Sequence, residues 1–258
     1  MFSIMSAGAS GLQSQNLWLN AISTNIANNQ TPGFGERLTV LGSSPGNVIR
    51  PPGTVVGNQV IGPPLALTPG TSLAQDAPVF SNQATHTSHP HDVAILGPGF
   101  LTVQTAGGSL AYTRAGTLQV DSQGHLTVAG GYQISPPITI PVGASWHVSS
   151  HGRILVSQPG LATRQAGQLT LALIPNPAGL LGIGHNLYSL SAASGAPIIV
   201  NPGQKGAGLL QPGSLNASGV DMASALTDLI QAQGAYQMTA KILAVSQSLD
   251  KGLSQIIT

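Results

Sequence analysis

Residues 24–34 read TNIANNQTPGF, and this stretch separates two kinds of sequence. The preceding segment, residues 3–28, contains two glycines and no proline. Its large apolar residues recur in a heptad-like seam, interrupted by Gly8 and Gln15, which predicts a helix. The helix must end before Pro32, because proline lacks an N–H group and disfavours helix in the residue before it. The seam consists of Met5, Leu12, Leu19, Ile22 and Ile26.

A second helix is predicted at the other end of the chain, over about 220–256. Ser218 and Asp221 have the spacing of a capping box, with Asp221 as the alternative cap. Gly234 is the weak point of this helix. The apolar seam comprises Met222, Leu226, Leu229, Tyr236, Leu243, Leu249 and Leu253, reinforced by Ile242, Val245 and Ile256.

Both seams have an ordinary interpretation, as the core faces of helices in a single globular domain. Two features favour a different one. The helices stand at opposite ends of the chain, and residues 1–35 contain no Asp, Glu, Lys or Arg. A helix that faces water normally carries a charged face. The N-terminal helix is therefore better suited to being surrounded by other protein, and we expect both terminal helices to fold fully only when neighbouring chains cover them.

The middle of the chain has the period of two that is typical of strands. One hairpin is predicted from 100–104 and 110–114, and another from 118–120 and 125–128. Further strands are predicted over 138–142, 146–149, 153–157 and 168–174. The expected fold is therefore α+β, with the N- and C-terminal helices packed as a coiled-coil-like pair and a β-rich domain inserted between them.

The predicted domain organisation follows from these patterns and from the distribution of glycine and proline. The two ends form one helical domain that serves as the core of a polymer, and the β-rich domain lies outside it. Extended connectors link the two. The helical domain comprises 1–35 and 217–258, the connectors 36–90 and 190–216, and the outer domain 91–189.

Composition excludes several classes of function. Only 15 of the 258 side chains are charged at neutral pH and the formal net charge is +1, so a basic footprint for nucleic acid is missing. The chain has no cysteine, which rules out disulfides and thiolate sites. No segment reaches the 18 or so apolar residues that span a bilayer, so we expect no membrane insertion. The first cationic side chain is Arg37, and we expect no cleaved signal peptide.

Signatures of catalysis are also missing from the sequence. It contains no G-x-S-x-G elbow, no complete dinucleotide-binding glycine loop and no P-loop. Glu36 is the only glutamate, and the aspartates are scattered, so a pair of catalytic carboxylates has no support. We expect neither an enzyme nor a cofactor.

One cluster has the residue types of a metal site. Imidazole and carboxylate groups lie close together in residues 85–92 and could hold zinc or a related ion. The alternative is a proline-interrupted approach to a strand, whose histidines titrate near pH 6–7 and bind nothing. The candidate ligands are His86, His89, His91 and Asp92.

The stretch at 24–34 resembles the signature that ends the N-terminal helix of bacterial flagellar rod and hook proteins. Residues 218–237 resemble the C-terminal helix of that family, and 91–100 and 111–116 resemble the opening of its β domain. The resemblance covers nearly the whole chain in order. The signature residues are Asn25, Ala27, Asn28, Thr31, Gly33 and Phe34.

Within the family, residues 206–213 and the chain length are most similar to the distal-rod member. The resemblance implies a structural subunit that assembles with itself into a helical tube, the drive shaft that transmits torque to the hook. It also implies contacts with proximal rod and hook proteins, with the surrounding P- and L-ring proteins and with the type III flagellar export apparatus. The implied location is the basal body, where the rod crosses the periplasm.

Two alternatives stay open at this point. The chain could be a proximal rod subunit or a short hook subunit of the same family, because the motifs are shared. From another class, it could be a secreted β-rich binding module or a carbohydrate-active enzyme, which would need a cleft with convergent carboxylates or aromatic rings. The family usually has Arg where this chain has Gly234, and its helices usually carry more charge. We therefore do not expect this chain to form the salt bridges between subunits that such charges would allow.

Overall fold

The computed structural model describes residues 2–44, 47–50, 55–56, 59–60, 65–67, 70–105, 107–128 and 130–257. Along the sequence, helix α1 (Phe2–Ala27) comes first, helix α2 (Met222–Ile257) comes last, and the strands follow one another between them. The first strands are β1 (Glu36–Ser43), β2 (Asn47–Arg50), β3 (Val55–Val56), β4 (Gln59–Val60), β5 (Leu65–Leu67), β6 (Thr71–Val79), β7 (Ala84–His86), β8 (Val93–Leu96), β9 (Phe100–Gln104), β10 (Leu110–Thr113) and β11 (Leu118–Val120). The others are β12 (Leu126–Val128), β13 (Tyr132–Ile134), β14 (Ser145–Val148), β15 (Arg153–Ser157), β16 (Arg164–Gln168), β17 (Leu171–Leu173), β18 (Leu181–Gly184), β19 (Leu187–Ser189), β20 (Ile198–Val200), β21 (Leu209–Pro212) and β22 (Ser214–Asn216).

The two terminal helices confirm the α+β architecture that the sequence predicts. Helix α1 ends at Ala27, four residues before the Thr31–Pro32 pair that cannot continue it. Helix α2 begins at Met222, which makes Asp221 the residue directly before the first turn. Among the described helices, none is long and apolar enough to cross a membrane.

The chain divides into two compact units. The helical unit contains Met1–Ile26, Arg37–Asp76 and Met222–Thr258, and the β unit contains Ala27–Glu36 and Ala77–Asp221. The signature segment after α1 thus belongs to the β unit in the structure. The domain boundaries predicted from the sequence, including the two connectors, stay a prediction.

A nine-stranded sheet dominates the β unit. Its main path has the order β11-β12-β13-β9-β10-β19-β18, and β17 pairs with both β9 and β20. Both predicted hairpins are confirmed: β9 pairs antiparallel with β10, and β11 with β12. A three-stranded sheet, β14-β15-β16, follows. Near the end of the unit, β21 pairs with β8 and β22 pairs with β7, so late strands close against early ones.

The core of the β unit lies among these strands and is built mainly from aliphatic side chains. Completely or almost completely buried members come from many strands, which explains why short strands of three to five residues hold together. Among the fully buried ones are Val93, Ile95, Leu101, Val103, Leu126, Ile154, Leu169 and Leu171.

The structure corrects two strand predictions. Over 138–142 there is only an isolated bridge between Thr139 and His125, because Pro136, Pro137 and Pro141 interrupt the ladder. The predicted strand over 168–174 is divided, with β16 ending at Gln168 and β17 beginning at Leu171.

Candidate assembly surface

The signature segment folds into a compact turn in the β unit. The backbone N–H of Thr31 donates to the Asn28 carbonyl at 3.0 Å, and the Thr31 hydroxyl donates to Asn28 Oδ1 at 3.0 Å. The N–H of Phe34 then donates to the Thr31 carbonyl at 3.2 Å. Asn28 and Thr31 therefore have a structural role, since together they set the direction of the chain after the helix.

This turn is attached to the segment that leads into the C-terminal helix. The N–H of Gly33 donates to the Asn216 carbonyl at 2.8 Å, and the N–H of Gly219 donates to the Phe34 carbonyl at 2.8 Å. The Ser218 hydroxyl donates to the Asn28 carbonyl at 3.0 Å. Ser218, the first of the two predicted caps, lies four residues before the start of α2 at Met222. The two ends of the β unit are thereby joined by backbone hydrogen bonds.

Two further signature residues differ in environment. The Asn25 amide is buried in the helical unit, where it donates to the Arg37 carbonyl at 3.0 Å and accepts from the Arg37 N–H at 2.8 Å. This pair of hydrogen bonds satisfies both the N–H and the carbonyl of Arg37, near the start of β1. Ala27, by contrast, is exposed.

In the helical unit, α1 and α2 run antiparallel and contact each other through small and polar residues. Gln15 Nε2 donates to Thr239 Oγ1 at 3.0 Å. A Cβ added at Gly8 would lie 2.9 Å from the Leu243 side chain, so this glycine permits a close approach of the helices. A continuous coiled-coil seam along both helices stays a proposal.

The predicted seam residues fall into distinct environments. Ile22 is buried, whereas Leu226 and Leu249 are exposed. Leu253 lies outside the residues whose side chains are described. The remaining members are half-buried: Met5, Leu12, Leu19, Ile26, Met222, Leu229, Tyr236 and Leu243.

Helix α2 has a second apolar face, which includes four residues of the predicted seam: Leu226, Ile242, Val245 and Leu249. Ala225 and Ala232 mark the buried side of this helix. The opposite side exposes a line of large apolar side chains that we call the outer row, and Ile230 and Met238 are 72% and 68% exposed. A helix that is apolar on two sides requires partners on both. The outer row consists of Leu226, Ile230, Met238, Ile242, Val245 and Leu249.

Sequence reasoning missed Ile230 and Met238, although a signal was present. Every fourth residue of this part of α2 belongs to one series: Leu226, Ile230, Gly234, Met238 and Ile242. Such spacing defines a second stripe on a helix. Nothing lies within 4 Å of a Cβ built at Gly234, so the row is open at its middle.

The histidine segment shows a stacked and partly buried arrangement. The rings of His91 and Trp146 stack with centroids 4.0 Å apart and an interplanar angle of 14°. Burial lowers the pKa of His91 below its usual value, and the neighbouring Asp92 carboxylate opposes that shift. Asp92 itself accepts a hydrogen bond from the Thr87 hydroxyl at 2.8 Å. Among the side chains that the structure describes, no three histidine or acidic groups come together as a metal site.

We therefore expect the variant His89→Ala/His91→Ala to bind as much zinc as the unaltered chain. The physical reason is that, among the described side chains, no three histidine or acidic groups converge, so the cluster has too few ligands for a tetrahedral ion. Equilibrium dialysis against zinc measures this. Uptake that falls by one ion per chain in the variant would establish the metal site instead.

The charged groups that a hydrolytic site would need are dispersed. Asp76 pairs with Arg37, and Asp121 lies 3.3 Å from His125. Hydrogen bonds from the His125 and Gln123 backbone keep the pKa of Asp121 low. Each of these carboxylates has its own local partner, so they do not supply the acid and base of a single cleft.

Comparison with known proteins gives two family matches. Residues 94–156 match the family described as the flagellar hook protein FlgE/F/G D1 domain. Residues 211–256 match the family described as the flagellar basal body rod FlgEFG protein C-terminal. The first match covers much of the nine-stranded sheet, and the second contains the outer row.

Individual relatives extend over nearly the whole length. The flagellar basal-body rod protein FlgG of Buchnera aphidicola subsp. Schizaphis graminum is 36% identical, over 95% of this chain and 96% of its own. FlgG of Caulobacter vibrioides is also 36% identical, over 96% and 97%. The rod protein FlgF of Escherichia coli is 31% identical, over 92% and 91%. With such identity across almost its entire length, the chain belongs to the family of bacterial flagellar basal-body rod proteins.

Proposed function

We propose that the chain is the structural subunit of the distal rod, assembling with copies of itself into a helical tubular shaft that transmits torque to the hook. The observation that carries this proposal is the outer row on α2. Six large apolar side chains, exposed in the single chain, form a surface that only neighbouring protein can cover. Similarity to FlgG over almost the full length supports the distal position.

The family membership also confirms that the chain is a structural protein and not an enzyme. No finding supports the alternative of a secreted binding module or carbohydrate-active enzyme. The remaining alternative is a neighbouring rod or hook position in the same assembly, since FlgF of Escherichia coli is also similar over most of its length.

In the proposed tube, the terminal helices pair as a coiled coil and line the inside, and the β-rich domain faces outward. The absence of charge from residues 1–35 suits such a lumen, since fixed charges would bind or repel subunits that pass through it unfolded. Contacts made by apolar side chains are also insensitive to salt. Isolated rods should therefore persist when the ionic strength is raised to about 1 M, where the Debye length is only about 3 Å.

The proposed partners are those of a distal rod in the basal body. They comprise further copies of this chain, the proximal rod proteins below it and the hook protein above it. The P- and L-ring proteins would surround the shaft where it crosses the periplasm. The flagellar export apparatus would deliver the chain to the growing rod.

Folding of the terminal helices should depend on assembly. Helices α1 and α2 have 26 and 36 residues, and the outer row remains in water as long as the chain is alone. Because packing supplies most of the stability of a helix, the dilute chain should show less helix than the assembled one. Circular dichroism at 222 nm across a concentration series measures the difference. Full helicity in the dilute monomer would contradict this expectation.

The proposed position can be tested by immunogold electron microscopy of isolated basal bodies. Antibodies against the β unit should label the segment of the rod next to the hook. Labelling confined to the part of the rod next to the inner membrane would favour a proximal subunit. Labelling of the hook alone would favour a hook subunit.

A further inference from the structure

A buried arginine in the β unit has a role that the assembly surface does not explain. Arg114 follows β10 and is only 4% exposed. Its Nε donates to the Gly99 carbonyl at 3.1 Å, and its Nη1 donates to the Ser81 carbonyl at 2.9 Å and to Asn82 Oδ1 at 3.0 Å. Its Nη2 donates to the Gly97 carbonyl. Four of the five N–H groups therefore have acceptors among the described residues.

All of these acceptors are neutral. Within the described part of the chain, the ion pairs are Arg37 with Asp76 and His125 with Asp121, and neither includes Arg114. Burial lowers the pKa of Arg114 to about 10, which still leaves the guanidinium charged at neutral pH. A buried charge without a counterion is costly, and such groups normally have an ionic partner.

A cavity of about 310 Å³ opens beside this guanidinium. The guanidinium carbon lies 5.7 Å from the centroid of the Phe80 ring and 5.3 Å from that of Phe100. These distances allow cation–π attraction but do not neutralise the charge. The other walls are mainly apolar, with the Asn82 amide as a polar group, and include Pro78, Val79, Pro98, Ile174 and Pro177.

We propose that this cavity is a binding site for a carboxylate attached to a small apolar group, such as an aromatic carboxylate or an acidic side chain with an apolar neighbour. The carboxylate would accept from the remaining N–H of Arg114 in a charge-assisted hydrogen bond and would supply the missing counterion. The apolar part would rest against Phe80, Phe100 and the prolines. The site is independent of the outer row, and its failure would leave the proposed rod function untouched.

Phenylacetate is a suitable probe, because its ring and carboxylate match the two halves of the cavity. Phenylacetamide is the matched control, with the same ring and no charge. We expect saturable binding of phenylacetate to the full chain by titration calorimetry or NMR, with binding of phenylacetamide at least about ten-fold weaker. Equal affinities, or no saturable binding of phenylacetate, would overturn the proposal.

A substitution in the cavity wall gives a second test that keeps Arg114 intact. Val79 is 46% exposed and lines the cavity, so Val79→Asp places a carboxylate within the site. We expect this variant to lose phenylacetate binding and to unfold at a higher temperature, because it carries its own counterion. The control is Val142→Asp, at a position that is 87% exposed and outside the cavity wall. Retained phenylacetate binding in Val79→Asp would also contradict the site.

The same probe distinguishes two sources of the natural carboxylate. If the natural carboxylate is an acidic side chain of a neighbouring copy, phenylacetate competes with it for the cavity. Saturating phenylacetate should then slow the assembly of the unaltered chain and of Val142→Asp by the same factor. If the natural ligand is a free carboxylate, saturating phenylacetate should bind without changing the assembly rate. Both results require the site that we propose.

Discussion

The double substitution Ile230→Asp/Ile242→Asp is expected to abolish assembly of the chain and the motility of cells that depend on it. Both side chains belong to the outer row and are exposed in the single chain, so their replacement should change the stability of the monomer by less than about 1 kcal/mol. In an assembly, each new carboxylate would be covered by neighbouring protein without a counterion. That burial costs several kcal/mol for each group, and the cost recurs at every subunit.

Complementation of a strain that lacks the gene measures this effect, with swimming motility and isolated basal bodies as readouts. Gln233→Asp is the matched control, since Gln233 is an exposed position on the same helix outside the outer row. The control should support motility at the level of the unaltered chain. Normal motility of the double variant would show that the outer row is not an assembly surface. Loss of motility in both would point to a general effect of added charge.

Gly33→Ala is expected to destabilise the β unit strongly. Gly33 has a φ of +68°, where an alanine costs about 1–2 kcal/mol. A Cβ at this position would also lie 2.5 Å from the carbonyl carbon and oxygen of Arg114, and the Gly33 backbone cannot move away without weakening its hydrogen bond to the Asn216 carbonyl. The signature glycine is therefore required by its φ and by the close approach of a second chain segment.

Gly131→Ala separates these two causes. Gly131 also has a positive φ, +80°, but nothing lies within 4 Å of a Cβ built there. Thermal or denaturant unfolding of both variants should show a clearly larger loss of stability for Gly33→Ala. Equal losses of stability would mean that the Arg114 backbone moves aside to admit the Cβ. The positive φ alone would then explain why position 33 requires glycine.

The sequence was sufficient to predict much of this fold, because the strongest signals are local. The proline at position 32 ends α1, and the alternation over 100–104 and 110–114 defines a hairpin that needs no distant partner. The interpretation of the charge-free N-terminus as a surface for other protein also needed only composition, and it stays a proposal. Each of these inferences depends on residues close together in sequence.

What could not be predicted depends on distant residues. The pairing of β21 with β8 and of β22 with β7 joins segments more than 100 residues apart, and no period reveals such partners. The environment of Arg114 has the same origin, since its acceptors come from the loops before β7 and β9. Ile230 and Met238 were missed for another reason: the other four members of the outer row were assigned to the predicted seam, so a separate stripe was not considered.

Electron microscopy of basal bodies from a strain that lacks this gene tests the central claim most directly. A distal rod subunit predicts rods that stop short of the outer membrane and carry no hook. Rods that are missing altogether would move the chain to the proximal segment. Complete rods with attached hooks would contradict the account.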